Sequence, residues 1–123
     1  FCMDEQMFCF QCEQAAGCIG CTGRAGVCGK TSETARLQDR LTGALIGLAR
    51  ASNGEEHLAD DVCRLMIRAL FATLTNVNFD PQALGQLIDL VHREKERLAP
   101  GCAACGAPCG KGDKFCRSCG ASL

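Results

Sequence analysis

The cysteine-rich start of the chain constrains its fold more than any other feature. Five of the twelve cysteines fall within residues 9–28, among Gly, Ala, Gln and Thr. This stretch has too few large apolar side chains to form a packed core, so its folding requires another source of free energy. Thiolates bound to iron or zinc provide that source, because metal–ligand bonds add directly to the stability of the folded chain. We therefore predict a metal-binding loop over residues 1–30.

Twelve cysteines in 123 residues are also typical of small secreted domains held together by disulfides. However, residues 1–6 lack the basic and apolar segments of a secretory signal. Eight cysteines form C-x-x-C pairs, a spacing at which two thiolates bind one metal ion. The middle of the chain has amphipathic helical patterns that need no covalent cross-links. These features favour metal thiolates in a reducing cytoplasm.

Size, charge and composition restrict the possible functions. A chain of 123 residues has room for one small domain with appended metal modules, and a second full catalytic domain is excluded. The net charge of -1 and the absence of Trp and Tyr argue against nucleic acid as a partner. No run reaches the roughly 18 apolar residues of a membrane span. We find no catalytic triad, paired carboxylates or phosphate loop, and therefore predict no catalytic site of its own.

Residues 31–99 are predicted to form a bundle of three helices. Thr31 or Ser32 is expected to cap the first helix, which carries an apolar stripe from Leu37 to Leu48 and ends near residues 52–54. Asp80 followed by Pro81 is a strong start signal for the third helix, which runs to Leu98. Three such stripes can pack against one another.

The second helix is predicted over residues 55–76. Its later part, residues 70–74, is apolar nearly all round, so we expect it to be the most buried portion of the chain.

Residues 100–123 are predicted to form a separate zinc module. The segment contains two C-x-x-C-G knuckles, ten residues apart, and resembles the short zinc-ribbon tail of many bacterial proteins. Four thiolates in a tetrahedral array make a closed, structural Zn²⁺ site; the predicted ligands are Cys102, Cys105, Cys116 and Cys119. Cys109 falls outside this pattern. We favour a free thiol at Cys109, the alternative being a ligand of an iron–sulfur cluster in place of zinc.

The N-terminal cysteines have a different spacing. Eight residues separate the first C-x-x-C pair from Cys21, and six more precede Cys28. This arrangement is too spread for two zinc knuckles and suits a cuboidal cluster enclosed by a loop.

The N-terminal and central motifs together resemble the first domain of the hybrid-cluster proteins, also called prismane proteins, over roughly residues 7–98. The matching segments are Met7-Phe-Cys-Phe-Gln-Cys-Glu-Gln, Gly20-Cys-Thr, Gly26-Val-Cys-Gly-Lys, Thr34-Ala-x-Leu-Gln-Asp and the stretch 71–80. The resemblance implies a [4Fe–4S] cluster, or the alternative [2Fe–2S] cluster, bound by Cys9, Cys12, Cys21 and Cys28. Cys18 is an additional thiol in the long gap and a possible substitute for Cys21.

In that family the first cluster passes electrons to a hybrid iron–sulfur–oxygen cluster whose ligands lie in later domains, and those domains are not expected in this chain. The predicted function is therefore electron transfer by a small subunit, with the ribbon as a docking module. The expected partners are larger redox proteins, such as a flavoprotein, hydrogenase or dehydrogenase of an anaerobe. The alternatives are a redox or nitric-oxide sensor, in which cluster loss changes partner binding, and a zinc-only interaction module.

Overall fold

Three α-helices follow the cysteine-rich start: α1 (Ser32–Ala51), α2 (Asp60–Ala72) and α3 (Pro81–Leu98). The computed structural model describes residues 6–53, 55–75, 77–99, 101–102, 104–105, 107, 109 and 112–122. Within these ranges the chain forms isolated β-bridges but no β-strand, and a short 3-10 turn, Ala16–Cys18, lies ahead of α1. The prediction of a mainly helical chain with three helices is confirmed.

The starts of α1 and α3 have the predicted caps. The Thr31 side chain accepts a hydrogen bond from the Thr34 backbone N–H at 3.2 Å. The Asp80 carboxylate accepts hydrogen bonds from the first-turn N–H groups of α3, and Pro81 occupies the first helical position. These caps satisfy N–H groups that have no partner within a helix. Both helix starts were therefore predicted correctly from local sequence.

The core lies between α1 and α3, which form the most extensive helix pair, with α2 against both. Its buried members are apolar side chains at helical spacing: Leu41, Ala44, Leu45 and Leu48 of α1, Val62, Ala69 and Ala72 of α2, and Leu84, Leu87, Ile88, Val91 and Leu98 of α3. Burying a side chain such as Leu or Val stabilises the folded state by about 1.5–3 kcal/mol. The core therefore holds the three helices together.

The second helix differs from its prediction. It begins and ends inside the predicted range of 55–76, and its C-terminal part is not the most buried of the chain. Leu70, Phe71 and Leu74 are exposed to 54%, 59% and 47%, while only Ala72 and Thr73 in that stretch are buried. The physical reason is that α2 meets α1 and α3 with one face, so the opposite apolar face points away from the bundle.

Polar side chains of α1 fix the connection between α2 and α3. The buried Gln38 donates hydrogen bonds from Nε2 to the carbonyl oxygens of Ala72, at 3.4 Å, and Asn78, at 3.2 Å. The buried Thr34 hydroxyl lies 3.5 Å from the Phe79 carbonyl oxygen. Buried carbonyl groups that accept no hydrogen bond within a helix need such donors.

No helix in the described ranges has the length and apolar character that a membrane span requires.

Candidate metal centres

Backbone pairing and packing place the N-terminal cysteine loop on the start of α1. Cys9 and Cys21 exchange two backbone hydrogen bonds, with N···O distances of 3.0 and 2.8 Å. The side chains of Met7, Cys21 and Ala35 form a small buried cluster against which Cys9 packs. Because Ala35 belongs to the first turn of α1, the loop is anchored to the bundle at this point.

The four cysteines predicted as cluster ligands line a single hollow in this loop: Cys9, Cys12, Cys21 and Cys28. Cys21 is buried, and the other three are half-buried. Cys18 is exposed and is not part of the wall of this hollow. The fold therefore brings together the four thiols of the predicted ligand set, and a set of this kind fits an iron–sulfur cluster. Cys2, the remaining N-terminal cysteine, lies outside the described residues.

Two glycines of the cysteine loop have close neighbours, and one of them, Gly26, lines the hollow. Gly20 has a φ of +142°, and a Cβ atom there would lie 2.9 Å from Cε2 of the Phe8 ring. A Cβ atom at Gly26 would lie 3.5 Å from Cys28 Sγ. Glycine at position 20 thus permits both the backbone conformation and the approach of the Phe8 ring. It stands directly before Cys21, whose backbone pairs with Cys9.

Lys30 is a residue of this site that sequence reasoning did not single out. Its side chain is 1% exposed, and Nζ lies 3.5 Å from Cys9 Sγ and 3.2 Å from Gln11 Oε1. A sequence feature that could have pointed to Lys30 is the motif Gly26-Val-Cys-Gly-Lys, where a lysine comes two residues after the last predicted ligand.

The C-terminal cysteines form a compact group of a different kind. The Sγ atoms of Cys102, Cys105, Cys116 and Cys119 all lie within 4.8 Å of one another. The Sγ–Sγ distance is 3.7 Å for Cys102 and Cys119, and 3.6 Å for Cys105 and Cys116. Four sulfurs, each 2.3 Å from a central zinc, lie about 3.8 Å apart in a regular tetrahedron. The group therefore has the dimensions of a zinc site, and its S···S distances are too long for disulfide bonds.

Backbone N–H groups stabilise thiolates in this group. The N–H of Cys105, followed by that of Ala104, lowers the pKa of Cys102. The N–H of Cys119, followed by that of Ser118, lowers the pKa of Cys116 to about 6. These donors come from the turns that follow each first cysteine of a knuckle. The thiols of Cys102 and Cys116 therefore lose their protons more readily, and the thiolate is the form that binds a metal cation.

Two other thiols of the ribbon, those of Cys105 and Cys109, have raised pKa values. The Ala107 N–H lowers the pKa of Cys105, but hydrogen bonds with the neighbouring thiols of Cys119 and Cys116 outweigh it and raise that pKa to about 12. Burial and the hydrogen bond with Cys116 raise the pKa of Cys109 to about 11. Cys109 donates from Sγ to the Ala107 carbonyl oxygen at 3.4 Å and does not belong to the four-thiol group.

The glycine of the second knuckle has a left-handed backbone conformation. Gly120 has a φ of +74°, and its N–H donates to the Cys116 carbonyl oxygen at 2.8 Å. Glycine adopts this conformation without the cost that a side chain would bring. Gly106, the corresponding residue of the first knuckle, lies outside the described residues.

Comparison with known proteins matches residues 7–107 to the Prismane/CO dehydrogenase family. The chain is 43% identical over 117 residues to a hydroxylamine reductase of Clostridium perfringens, covering 89% of this chain and 21% of the relative. It is 48% identical over 106 residues to a hydroxylamine reductase of Syntrophobacter fumaroxidans, covering 81% of this chain and 19% of the relative. The corresponding enzyme of Thermodesulfovibrio yellowstonii is 47% identical over 89 residues, covering 67% and 16%.

The chain thus spans about a fifth of the length of the curated relatives it matches. The matched range includes the cysteine loop, all three helices and the first ribbon knuckle at residues 102–105. The resemblance noted from the cysteine motif and the helix-start motif is therefore confirmed: the chain belongs to the Prismane/CO dehydrogenase family.

Proposed function

We propose that this chain is an iron–sulfur electron-transfer protein or subunit that relays single electrons to and from a larger redox protein. The observation that carries the proposal is the hollow lined by Cys9, Cys12, Cys21 and Cys28, in a chain whose family consists of iron–sulfur redox proteins. A cluster bound there supplies a centre that accepts and donates one electron. The four thiolates hold it, and the Cys9–Cys21 backbone pair keeps two of them in place.

A [4Fe–4S] cluster is the form we propose for this hollow. In the described part of the chain, only the C-terminal group gathers three or more ligand atoms of this kind within 4.8 Å. A single metal ion needs that closeness, whereas the iron atoms of a cluster each take their own thiolate. This contrast supports iron in the N-terminal loop and Zn²⁺ on Cys102, Cys105, Cys116 and Cys119.

The partner is proposed to be a redox protein that approaches the outer side of Cys9. A groove of about 280 Å³ borders Cys9 there, and the rings of Phe8 and Phe10 line it. Both rings are more than half exposed, at 64% and 61%. Exposed aromatic rings at the mouth of a groove suit a protein contact, and a one-electron partner must come close to the centre it serves. A flavoprotein, hydrogenase or dehydrogenase fits this role in the reducing cytoplasm of an anaerobe.

The zinc ribbon is proposed to contribute to docking. Residues 100–123 contain three basic residues and one acidic residue, a small excess of positive charge that favours an acidic partner surface. The reductase activity in the relatives' names is not proposed for this chain, because the match covers only about a fifth of those proteins.

Paired cysteine substitutions test the proposal. Cys21→Ser removes a thiol from the wall of the hollow, and Cys18→Ser removes an exposed thiol of the same loop. After anaerobic purification, we expect Cys21→Ser to lose most of its iron and Cys18→Ser to keep the iron content and visible spectrum of the unmodified chain. Equal iron loss in both variants, or none in Cys21→Ser, would contradict the proposed ligand set. Fast cluster breakdown accompanied by altered partner affinity would instead favour the sensor.

A further inference from the structure

A fully buried lysine side chain ends beside one of the proposed cluster ligands. Lys30 is 1% exposed, and its Nζ lies 3.5 Å from Cys9 Sγ and 3.2 Å from Gln11 Oε1. The ring of Phe79 also faces Nζ, with 6.0 Å between Nζ and the ring centroid. Lysine is almost never fully buried unless it is paired with an opposite charge, because removing an ammonium group from water is costly.

Among the described residues that contact Lys30 Nζ, only Cys9 can carry a negative charge, as its thiolate. Across the described residues, no carboxylate lies within ion-pair distance of Nζ. The other two contacts, the Gln11 amide oxygen and the Phe79 ring, are neutral. A thiolate at Cys9 supplies the missing charge, and the thiolate is also the form of cysteine that binds iron. The contact between Lys30 Nζ and Cys9 Sγ therefore suits the form of cysteine that a bound cluster needs.

Gln11 holds the lysine in this position. Its Oε1 accepts hydrogen bonds from Lys30 Nζ and from the Thr75 hydroxyl, the latter at 2.9 Å, while its Nε2 donates to the Thr73 carbonyl oxygen. Thr73 and Thr75 belong to the segment that follows α2. The ammonium group is thus tied through Gln11 to the helical bundle and cannot turn outward to solvent without breaking these bonds.

We propose that the positive charge of Lys30 raises the reduction potential of the cluster bound through Cys9. The proposal rests on the proposed function and identifies the group that tunes the site. Adding one electron makes the cluster and its thiolates more negative. A fixed positive charge 3.5 Å from one ligand sulfur, on a lysine side chain that is itself buried, stabilises that reduced state.

Substitution of Lys30 tests this role through the midpoint potential of the cluster, measured by anaerobic redox titration with electron paramagnetic resonance detection. Lys30→Met keeps the aliphatic chain and removes the charge, Lys30→Gln keeps a neutral donor, and Lys30→Arg keeps the charge. Lys95→Met is the matched control: Lys95 packs against Gly47, which lies about 18 Å along the α1 axis from Ala35.

We expect a more negative midpoint in Lys30→Met, a smaller negative shift in Lys30→Gln, and values close to the unmodified chain for Lys30→Arg and Lys95→Met. Potentials of both neutral variants equal to that of Lys95→Met would overturn the proposal. If Lys30→Met binds no iron, the proposal is tested by the midpoint potential of Lys30→Gln against that of Lys95→Met. If neither neutral variant binds iron while Lys30→Arg does, the residue acts in cluster assembly and the tuning role is wrong. An unmodified chain without iron refutes the proposed function itself, and is thus a distinct result.

Discussion

Replacing Gly20 with alanine should weaken the cluster loop. At φ +142° an L-residue is strained, and the new Cβ would lie 2.9 Å from the Phe8 ring. The ring is exposed and can move, so the backbone dominates the cost, roughly 1–3 kcal/mol. With a urea m-value of about 1.5 kcal/mol per M, a loss of about 2 kcal/mol lowers the unfolding midpoint by about 1.3 M. The strain falls next to Cys21, so it should also speed the loss of iron.

The assay is the urea midpoint for loss of visible absorbance from the anaerobically purified, iron-loaded chain. Gly23→Ala is the matched control in the same loop, because a Cβ there meets nothing within 4 Å and the backbone lies outside the left-handed region. We expect that variant to match the unmodified chain or to gain up to about 1 kcal/mol. A Gly20→Ala midpoint equal to that of Gly23→Ala would refute the reasoning, since it would show that the loop does not require glycine at position 20.

Three further predictions concern the ribbon and the bundle. Cys116→Ser should lose zinc while Cys109→Ser keeps about one zinc per chain by metal analysis; zinc loss in Cys109→Ser would contradict the four-thiol site. Because the folded pKa of Cys116 is lowered to about 6, its thiolate persists at neutral pH and is lost as pH falls through 6. Zinc binding at pH 7.5 should therefore release fewer than four protons, and binding at pH 5 should release more, measured by calorimetry in buffers of different ionisation enthalpy; equal release at both pH values would refute this. Gln38→Leu leaves two carbonyl groups without their donor and should lower the free energy of unfolding by about 1–3 kcal/mol, measured by urea unfolding. A loss equal to that of the exposed control Asp39→Asn would show that the hydrogen bonds of Gln38 do not stabilise the bundle.

Local sequence signals predicted the helix starts well because their physical causes are local. Thr31 and Asp80 cap their helices through side-chain bonds to N–H groups two or three residues away. The four ribbon thiols were predicted from their spacing and from the resemblance to a zinc-ribbon tail, because a C-x-x-C turn brings two sulfurs to one side within a few residues. These features need no knowledge of the rest of the fold.

The errors concern contacts between distant residues. The stretch 70–74 is apolar nearly all round, but periodicity cannot tell how many neighbours a helix has, and α2 buries one face only. Likewise, Lys30 and Gln11 meet because the loop folds back on the segment after α2. Composition favours a solvated lysine there, and only the three-dimensional path of the chain reveals the buried one.

The most direct test of the account is metal analysis of the anaerobically purified chain, with iron, sulfide and zinc measured together and electron paramagnetic resonance recorded after dithionite reduction. A [4Fe–4S] cluster on the N-terminal loop and Zn²⁺ on the ribbon predict about four irons, four sulfides and one zinc per chain, with a spin-half signal in the reduced sample. Zinc without iron under these conditions would contradict the electron-transfer function and would favour the zinc-only interaction module.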